Sequence, residues 1–407
     1  MIPVCLIALL APSIALPASA VGPGPIALAV AAATPGDTVV VPAGVHREPT
    51  IVIDRSITLR GAPGAILDGE GVRGLVEVRA PEVTITGLTF RNTGSSYIED
   101  RAALLLDGAR DCVVTDNHFD ATFFAIYLAR TVGCVVRGNI VRGVPTSEAA
   151  TGNAVHSWGS HDLTVTNNTL SGHRDGLYFE FTSHATVTGN RSTGNLRYGL
   201  HFMYADSSTY AGNQFVANGS GVAVMYSHQV AMTDNRFGEN HGPSSYGLLL
   251  KEISDVRLQG NTFDHNSTGL LADGANRVEA IGNAFTANGW AIRLLASTGG
   301  GHFAANAFRG NSFDVVVNSN RTTAEFIGNW WDAYRGWDLD RDGTGDVPYH
   351  PVRLFAVLVE RAPAAMLLQR SLFVRVLDAA ERTVPLLTPT SVVDRRPAMV
   401  APPAVTP

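Results

Sequence analysis

The sequence lacks several features that define common classes of protein. Only 16% of the 407 residues are charged, and 36 acidic residues outnumber 30 basic ones, giving a formal net charge of −6. This excludes the basic surface with which proteins neutralise nucleic-acid phosphates. Beyond the first twenty residues there is no run of about 18 apolar residues, so no membrane-spanning helix is predicted. A G-x-x-x-x-G-K-[ST] nucleotide-binding loop is also missing.

The first twenty residues are apolar and end in Ala18, Ser19 and Ala20. This small-x-small ending has the form of a signal-peptidase site, although no positively charged segment precedes the apolar run. We therefore predict a signal peptide over residues 1–20 and an exported chain that begins at Val21.

Asparagine recurs at a regular interval through the middle of the chain. Most steps are 22 or 23 residues, and phenylalanine often follows two residues later, with a second asparagine five residues later. Apolar residues alternate upstream of each asparagine, which indicates short strands. The recurring positions are Asn92, Asn117, Asn139, Asn168, Asn190, Asn213, Asn235, Asn261, Asn283, Asn306 and Asn329.

Repeats of this length cannot close a core singly and must stack. The leucines that leucine-rich repeats need are absent, so we predict a right-handed parallel β-helix over residues 21–351. We expect each asparagine to adopt the left-handed conformation at a corner and to bond to the asparagine of the next coil, about 4.8 Å away. A short N-terminal helix, "GPIALAVAAATPGD", is predicted to cap the core. Residues 352–407 are predicted to form a helical and Pro-rich extension, with helices near 352–361 and 364–381.

Two columns of outward side chains follow from this register. Counting from the glycine that begins each outward strand, the second and fourth residues point away from the core. The second position reads Tyr127, His156, Tyr178, His201, Ala223 and Leu249, and the fourth reads Ala129, Trp158, Glu180, Met203, Met225 and Lys251. We expect Met203 and Met225 to be stacked neighbours beside His201, about 5 Å apart at Cα.

An outward ladder of Tyr, His, Trp and Met is a poor surface to expose to water. A loop or the C-terminal tail covers it, or it binds another protein, or its rings stack on sugars. A fourth interpretation is a copper site formed by His201, Met203 and Met225, because thioethers and imidazole are soft ligands of the kind that hold Cu(I).

Apart from Cys5 in the predicted signal peptide, the chain has two cysteines, and these are predicted to lie in neighbouring coils. Cys112 and Cys134 each precede a repeat asparagine by five residues, so both should face inward. Stacked parallel strands need not present the dihedral angle of a disulfide, and two buried thiols are an equal alternative.

A carboxylate loop closes the repeat region in "NWWDAYRGWDLDRDGTGDVPYHP". Asp338, Asp340, Asp342 and Asp346 resemble the oxygen-rich loops that bind Ca²⁺. Tyr349, however, stands where such loops carry a bidentate Glu. An Asp/Gly turn cluster without an ion is the alternative.

These stretches together resemble the NosD family, periplasmic maturation proteins of nitrous oxide reductase. The resemblance runs from about Gly36 to Arg396 and rests on "GLHFMY", "GVAVMYS" and "YGLLLKEISD", followed by the Trp-Trp-Asp, Gly-Trp-Asp, Asp-Gly-x-Gly-Asp and Pro-Tyr series. It implies a periplasmic, non-enzymatic β-helix that docks on an ABC transporter and meets the membrane only there. It also implies that the helices after Pro351 bind the permease.

The same resemblance implies that copper arrives from a lipoprotein chaperone and is used to build the copper sites of apo nitrous oxide reductase. The motifs of the resemblance coincide with Met203 and Met225, which favours copper handling or chaperone docking at these residues.

Two further classes of function share this fold. One is a carbohydrate-binding or carbohydrate-cleaving protein of the polysaccharide lyase or hydrolase kind, for which the candidate groups are Asp175, Glu180, Lys251 and Glu252. Glu180 and Lys251 lie three coils apart, about 14 Å, which suits neither mechanism. The other class is a passive scaffold or adhesin, which predicts no metal dependence.

Overall fold

The described part of the chain is a parallel β-helix, as the asparagine repeat predicts. The computed structural model describes residues 22–96, 101–295, 298–318, 323–383 and 389–402. The predicted signal peptide lies outside these residues. Within them, three parallel sheets of 13, 13 and 12 strands run the length of the molecule. Each coil contributes one strand to each sheet, so the side chains that face inward form one continuous core.

The three sheets are named I, II and III in the order in which the chain meets them. Sheet I comprises Thr38–Val41, Thr58–Gly61, Thr84–Thr86, Val113–Thr115, Val135–Arg137, Thr164–Thr166, Thr186–Thr188, Thr209–Ala211, His228–Thr233, Ser254–Gln259, Asn276–Ile281, His302–Ala304 and Glu325–Ile327. Sheet II comprises Gly44–His46, Ala65–Asp68, Thr89–Arg91, His118–Asp120, Ile140–Arg142, Thr169–Ser171, Arg191–Thr193, Gln214–Val216, Arg236–Gly238, Thr262–Asp264, Ala284–Thr286, Ala307–Arg309 and Trp330–Trp331. Sheet III comprises Ile51–Ile53, Val76–Val78, Ala102–Asp107, Phe124–Ala129, Val155–Trp158, Asp175–Glu180, Tyr198–Met203, Ser220–Met225, Leu248–Lys251, Thr268–Asp273, Trp290–Leu294 and Phe313–Val317.

A buried asparagine ladder runs between sheets I and II. The side-chain oxygen of Asn139 accepts hydrogen bonds from the backbone N–H and from Nδ2 of Asn117, both at 3.1 Å. The same pair of bonds joins each later rung to the next as far as Asn329. The ladder therefore satisfies polar groups that the narrow core would otherwise bury unpaired.

Two details of the predicted ladder are wrong. Asn92 is exposed and donates to Asp68 Oδ1 at 3.1 Å, while the backbone N–H of Leu88 takes the rung before Asn117. The left-handed residue is the one before each rung, such as Asp116 at φ 55°, because the chain turns there before the asparagine points inward.

Stacked phenylalanines fill the core beneath sheet II. Phe237, Phe263 and Phe285 lie parallel with ring centroids 4.8 and 4.7 Å apart, and the column ends where Trp331 stacks on Phe308 at 4.1 Å. From Phe215 onward the phenylalanine of the repeat thus supplies one ring per coil to a continuous column.

The N-terminal end of the core is covered by a helix, Pro25–Ala32, with Ile26 and Val30 buried. The carboxylate of Glu48 accepts hydrogen bonds from the backbone N–H groups of Ile26 and Ala27 at 3.0 and 3.1 Å, which satisfies donors of the first helical turn. This is the predicted capping helix.

The C-terminal extension contains α-helices Leu354–Arg361 and Leu372–Thr383, joined through a 3₁₀ helix, Pro363–Leu368. Phe355, Ala356 and Val359 of the first helix pack on the outer face of sheet III, in a cluster that also contains Val374 of the second helix. The division of the chain at Pro351 stays a prediction. The structure adds that residues 392–399 return to the last coil, where Asp394 pairs with Phe326 and Ala398 with Trp330.

Candidate functional site

Sheet III presents the two outward columns in the predicted register. Tyr178 pairs with His201, and His201 with Ala223. In the second column Glu180, Met203, Met225 and Lys251 follow one another on consecutive strands. Met203 and Met225 are therefore direct cross-strand neighbours, and both side chains are half-buried.

Met225 lies over an apolar patch on the outer face of sheet III. It packs against a cluster formed by Ala223, Tyr246 and Leu249. One side of Met225 is thus shielded from water by apolar side chains. Both methionines are partly exposed, so a ligand can approach them from solvent.

The imidazole of His201 is buried and neutral. Only 6% of the residue is exposed, and burial lowers its pKa to about 4. Arg197 Nη2 lies 3.3 Å from Nδ1, and because arginine can only donate, Nδ1 accepts this hydrogen bond. The ring proton is then on Nε2, which finds no hydrogen-bond partner among the described residues. His201 can offer Nε2 to a metal only if the proton moves to Nδ1 and Arg197 turns away.

Arg197 is itself held by a buried carboxylate. Asp175 is fully buried and accepts hydrogen bonds from both Nε and Nη2 of Arg197, and from the backbone N–H of Tyr198 at 3.1 Å. The guanidinium lies over the Tyr198 ring, 5.0 Å from its centroid. Asp175 therefore anchors Arg197 beside His201, an arrangement that no local sequence pattern indicates.

A continuous run of rings leads away from His201 along the first column. His156 stacks on Tyr178 with centroids 4.8 Å apart, and Tyr178 meets His201 edge-on at 5.1 Å. Burial, together with the positive charge of Arg174, lowers the pKa of His156 to about 3. Asn153, at the end of an inserted loop, donates to Nδ1 of His156 at 2.9 Å. Covering of the ladder by a loop stays a prediction.

Three exposed aromatic residues follow the fourth-position column, and the sequence analysis did not single them out. Phe181, Tyr204 and Tyr226 are 52%, 45% and 42% exposed, and all three have left-handed backbone, with φ of 50°, 51° and 54°. Glycine holds this corner in other coils, as at Gly159 and Gly274. The available signal was the residue after each methionine in "GLHFMY" and "GVAVMY".

The groups considered for carbohydrate chemistry do not converge. Glu180 and Lys251 occupy one column with Met203 and Met225 between them. Glu180 accepts a hydrogen bond from the Tyr178 hydroxyl at 3.2 Å, and Asp175 is committed to Arg197.

The other predicted sites lie elsewhere. Cys112 and Cys134 are buried with free thiols in neighbouring coils. Ligand oxygens of Asp338, Asp340 and Asp342 lie within 4.8 Å of one another. These carboxylates accept hydrogen bonds from amides of their own loop, including the N–H of Gly343 at 2.9 Å.

Asp346 bonds to the loop in the same way, through the N–H of Leu339 at 2.7 Å. This is the bonding of an Asp/Gly turn, and calcium at the loop stays a prediction.

Comparison with known proteins places this geometry in a family. The family described as "Periplasmic copper-binding protein (NosD)" matches residues 143–336, a range that contains His201, Met203 and Met225. A Pseudomonas aeruginosa protein named "Probable ABC transporter binding protein NosD" is 35% identical over 374 residues, which are 87% of this chain and 86% of the relative. The protein of the same name from Stutzerimonas stutzeri is 31% identical over 381 residues, 89% of this chain and 86% of the relative.

Among solved structures, the A-module of the mannuronan C-5 epimerase AlgE6 from Azotobacter vinelandii has a TM-score of 0.62 at 15% identity, over 76% of this chain and 94% of that chain. At this identity the likeness shows the fold alone. In the described ranges no helix is both long and apolar enough to cross a bilayer. Identity to the curated relatives extends over most of both chains, and the chain belongs to the NosD family of periplasmic copper-binding proteins.

Proposed function

We propose that this protein handles Cu(I) in the periplasm, as an accessory protein in the maturation of the copper sites of nitrous oxide reductase. The observation that carries the proposal is the Met203–Met225 pair, two cross-strand neighbours on an outer face beside a buried, neutral histidine. Copper is the cargo here, so the site must release it as well as bind it.

The chemistry of the pair suits a transient cargo. Thioethers are soft, uncharged ligands that select Cu(I) over the hard cations of the periplasm. Two of them bind less tightly than a set of thiolates, which allows transfer onward. His201 is a conditional third ligand, because Arg197 occupies Nδ1 until the side chain moves. Binding a third ligand would therefore be coupled to a change in the Arg197–Asp175 pair.

A copper titration tests the proposal. Cu(I) affinity is measured by competition with a chromophoric chelator under anaerobic conditions, for the mature protein and for Met203→Leu/Met225→Leu. Leucine removes both sulfurs and keeps the packed volume around Tyr246 and Leu249. Met366→Leu, on the C-terminal 3₁₀ helix, is the matched control. We expect the double variant alone to lose at least about tenfold in affinity, or about 1.4 kcal/mol; unchanged affinity removes the site.

Partners follow from the same proposal. Both curated relatives carry the name ABC transporter binding protein, which supports a transporter as one partner of this chain. The C-terminal helices expose five apolar residues between positions 367 and 376, which suits a permease surface. We call this set the C-terminal apolar patch, and its members are Leu367, Leu368, Leu372, Phe373 and Val376. A copper chaperone lipoprotein would supply the cargo and apo nitrous oxide reductase would receive it.

A carbohydrate-binding or carbohydrate-cleaving function is the alternative, and the epimerase-like fold is the observation that favours it. Its weakness is that the candidate groups do not converge, because Lys251 is three strands from Glu180 and Asp175 is buried in its pairing with Arg197. A screen of the protein against uronate polymers tests this alternative. New absorbance from double bonds in the products would support a polysaccharide-cleaving activity.

A further inference from the structure

The stack of Phe181, Tyr204 and Tyr226, here called the aromatic corner, is not required by the fold. Bulky side chains in left-handed backbone are disfavoured, and the same corner is glycine at Gly159 and Gly274. The chain nevertheless places three consecutive rings there and leaves them about half exposed. A conformational cost combined with exposed apolar area indicates a binding role.

The ring geometry argues against a sugar platform. Phe181 and Tyr204 are parallel within 8° at 5.1 Å, and Tyr204 and Tyr226 within 16° at 5.2 Å. The faces of these rings therefore cover one another, except for the outer faces of Phe181 and Tyr226 at the two ends, whereas a pyranose stacks on a free face. Most of the accessible surface is a row of ring edges and two tyrosine hydroxyls, which suits the mixed apolar and polar contacts of a protein interface.

The charges around the aromatic corner define the partner further. Glu180 precedes Phe181, and Glu252 holds the same corner in the next coil. Asp206, two residues after Tyr204, lies 2.9 Å from Nδ1 of His228, and Lys251 is the other basic residue among them. Carboxylates thus outnumber cations around the rings. Such a rim attracts a partner with basic residues around an apolar centre.

We infer that the aromatic corner docks a protein partner with a basic rim, and that this partner delivers the copper. The inference rests on the proposed function, because Met203 and Met225 immediately precede Tyr204 and Tyr226. A partner seated on the rings would hold its metal site against the methionine pair. Docking and metal binding then use different side chains on the same two strands, so they can be separated by mutation.

The test uses the full mature chain and, as probe, the purified soluble domain of the copper chaperone lipoprotein. Its dissociation constant is measured for the wild type and for Tyr204→Gly/Tyr226→Gly. Glycine holds the equivalent corner at Gly159 and Gly274, so we expect the variant to keep its melting temperature. Tyr204→Asn/Tyr226→Asn is a second variant, because asparagine also tolerates left-handed backbone. Trp337→Ala, which removes an exposed ring at the end of the β-helix, is the control.

We expect the dissociation constant to rise at least about tenfold in both tyrosine variants and to stay unchanged in the control. Added salt should weaken docking of the wild type. Binding within about twofold of wild type in both variants would overturn the inference, as would alginate oligosaccharides that bind the wild type and not the variants. Cu(I) affinity separates the two proposals: the tyrosine variants keep it, whereas Met203→Leu/Met225→Leu loses it and still docks.

Discussion

Asp394 takes the place of the next asparagine beyond Asn329. Its Oδ2 accepts hydrogen bonds from the backbone N–H of Asn329 at 3.0 Å, from Asn329 Nδ2 at 3.1 Å and from Trp331 Nε1 at 3.1 Å. Its Oδ1 accepts from the N–H groups of Gly328 and Arg396. A residue beyond the C-terminal helices thus ends the ladder, which ties the helical extension to the β-helix.

Replacing this carboxylate should open the end of the ladder. Asp394→Ala leaves three donors of Asn329 and Trp331 buried without a partner, and we expect the free energy of unfolding to fall by about 3 kcal/mol. Asp394→Asn keeps one oxygen for these donors but turns an NH₂ group toward Gly328 and Arg396, so its loss should be intermediate. Urea unfolding followed by tryptophan fluorescence gives the order. Equal stability of all three proteins would show that Asp394 does not close the ladder.

Asn213 and Asn92 belong to the same series of recurring asparagines but should differ in their effect on stability. Asn213 accepts two hydrogen bonds from Asn190 and donates to Val187 O at 2.8 Å and to Asn235 Oδ1 at 3.0 Å. We expect Asn213→Ala to cost about 3 kcal/mol, because buried groups on both neighbouring coils lose partners. Asn92→Gly should cost less than about 1 kcal/mol, since the side chain is exposed and glycine tolerates the left-handed backbone of this residue, at φ 52°. Comparable urea midpoints for the two variants would contradict this.

The fold and the outward columns could be predicted because they follow from periodicity. A 22-residue step with alternating apolar residues fixes the register, and Met203 and Met225 pair as that register requires. Asn92 was misassigned because the repeat is irregular at the first coils. There the position of the ladder residue is held by Leu88, which bonds to Asn117 only through its backbone N–H. A ladder position that bonds only through its backbone N–H leaves no recurring side chain in the sequence, so periodicity cannot predict it.

The surroundings of the site could not be predicted, because they depend on contacts between columns. Arg197 lies outside both outward positions, and its bonds to Asp175 and His201 depend on rotamers that no repeat fixes. The return of Asp394 joins residues 65 apart in the chain through an irregular segment. Such contacts are set by packing and leave no local pattern.

The buried histidines predict a loss of stability in acid. Burial lowers the pKa of His173 and His201 to about 4, against about 6.5 in the unfolded chain. Between these values the unfolded state binds more protons, so the free energy of unfolding falls as the pH falls. Each histidine should remove about 2 kcal/mol between pH 7 and pH 5.

His173→Gln tests this dependence, with the exposed His118→Gln as control. The first variant should show a flatter decline of unfolding free energy over this interval, even if it is less stable at pH 7. The second should decline like the wild type. Parallel curves for all three proteins would mean that His173 is not kept neutral by burial.

The C-terminal apolar patch predicts a loss of transporter binding without a loss of fold. Phe373 and Val376 are exposed on the last helix, whereas Val374 between them is buried in the cluster that contains Phe355 and Val359 of the preceding helix. Phe373→Ser/Val376→Ser should therefore change the free energy of unfolding by less than about 1 kcal/mol. Binding to the detergent-solubilised transporter should fall at least about tenfold, because two apolar contacts are lost at once.

Point variants are preferable to a truncation after Pro351, which would also remove Asp394 and open the asparagine ladder. Leu28→Ser is the matched control. Leu28 is an equally exposed apolar residue, and it lies on the N-terminal helix, at the opposite end of the β-helix. If pull-down with the purified permease–ATPase complex retains Phe373→Ser/Val376→Ser as well as it retains Leu28→Ser, the transporter contacts another surface. Loss of binding in the first variant alone would assign the contact to the C-terminal helices, because both variants keep the β-helix and the Met203–Met225 face intact.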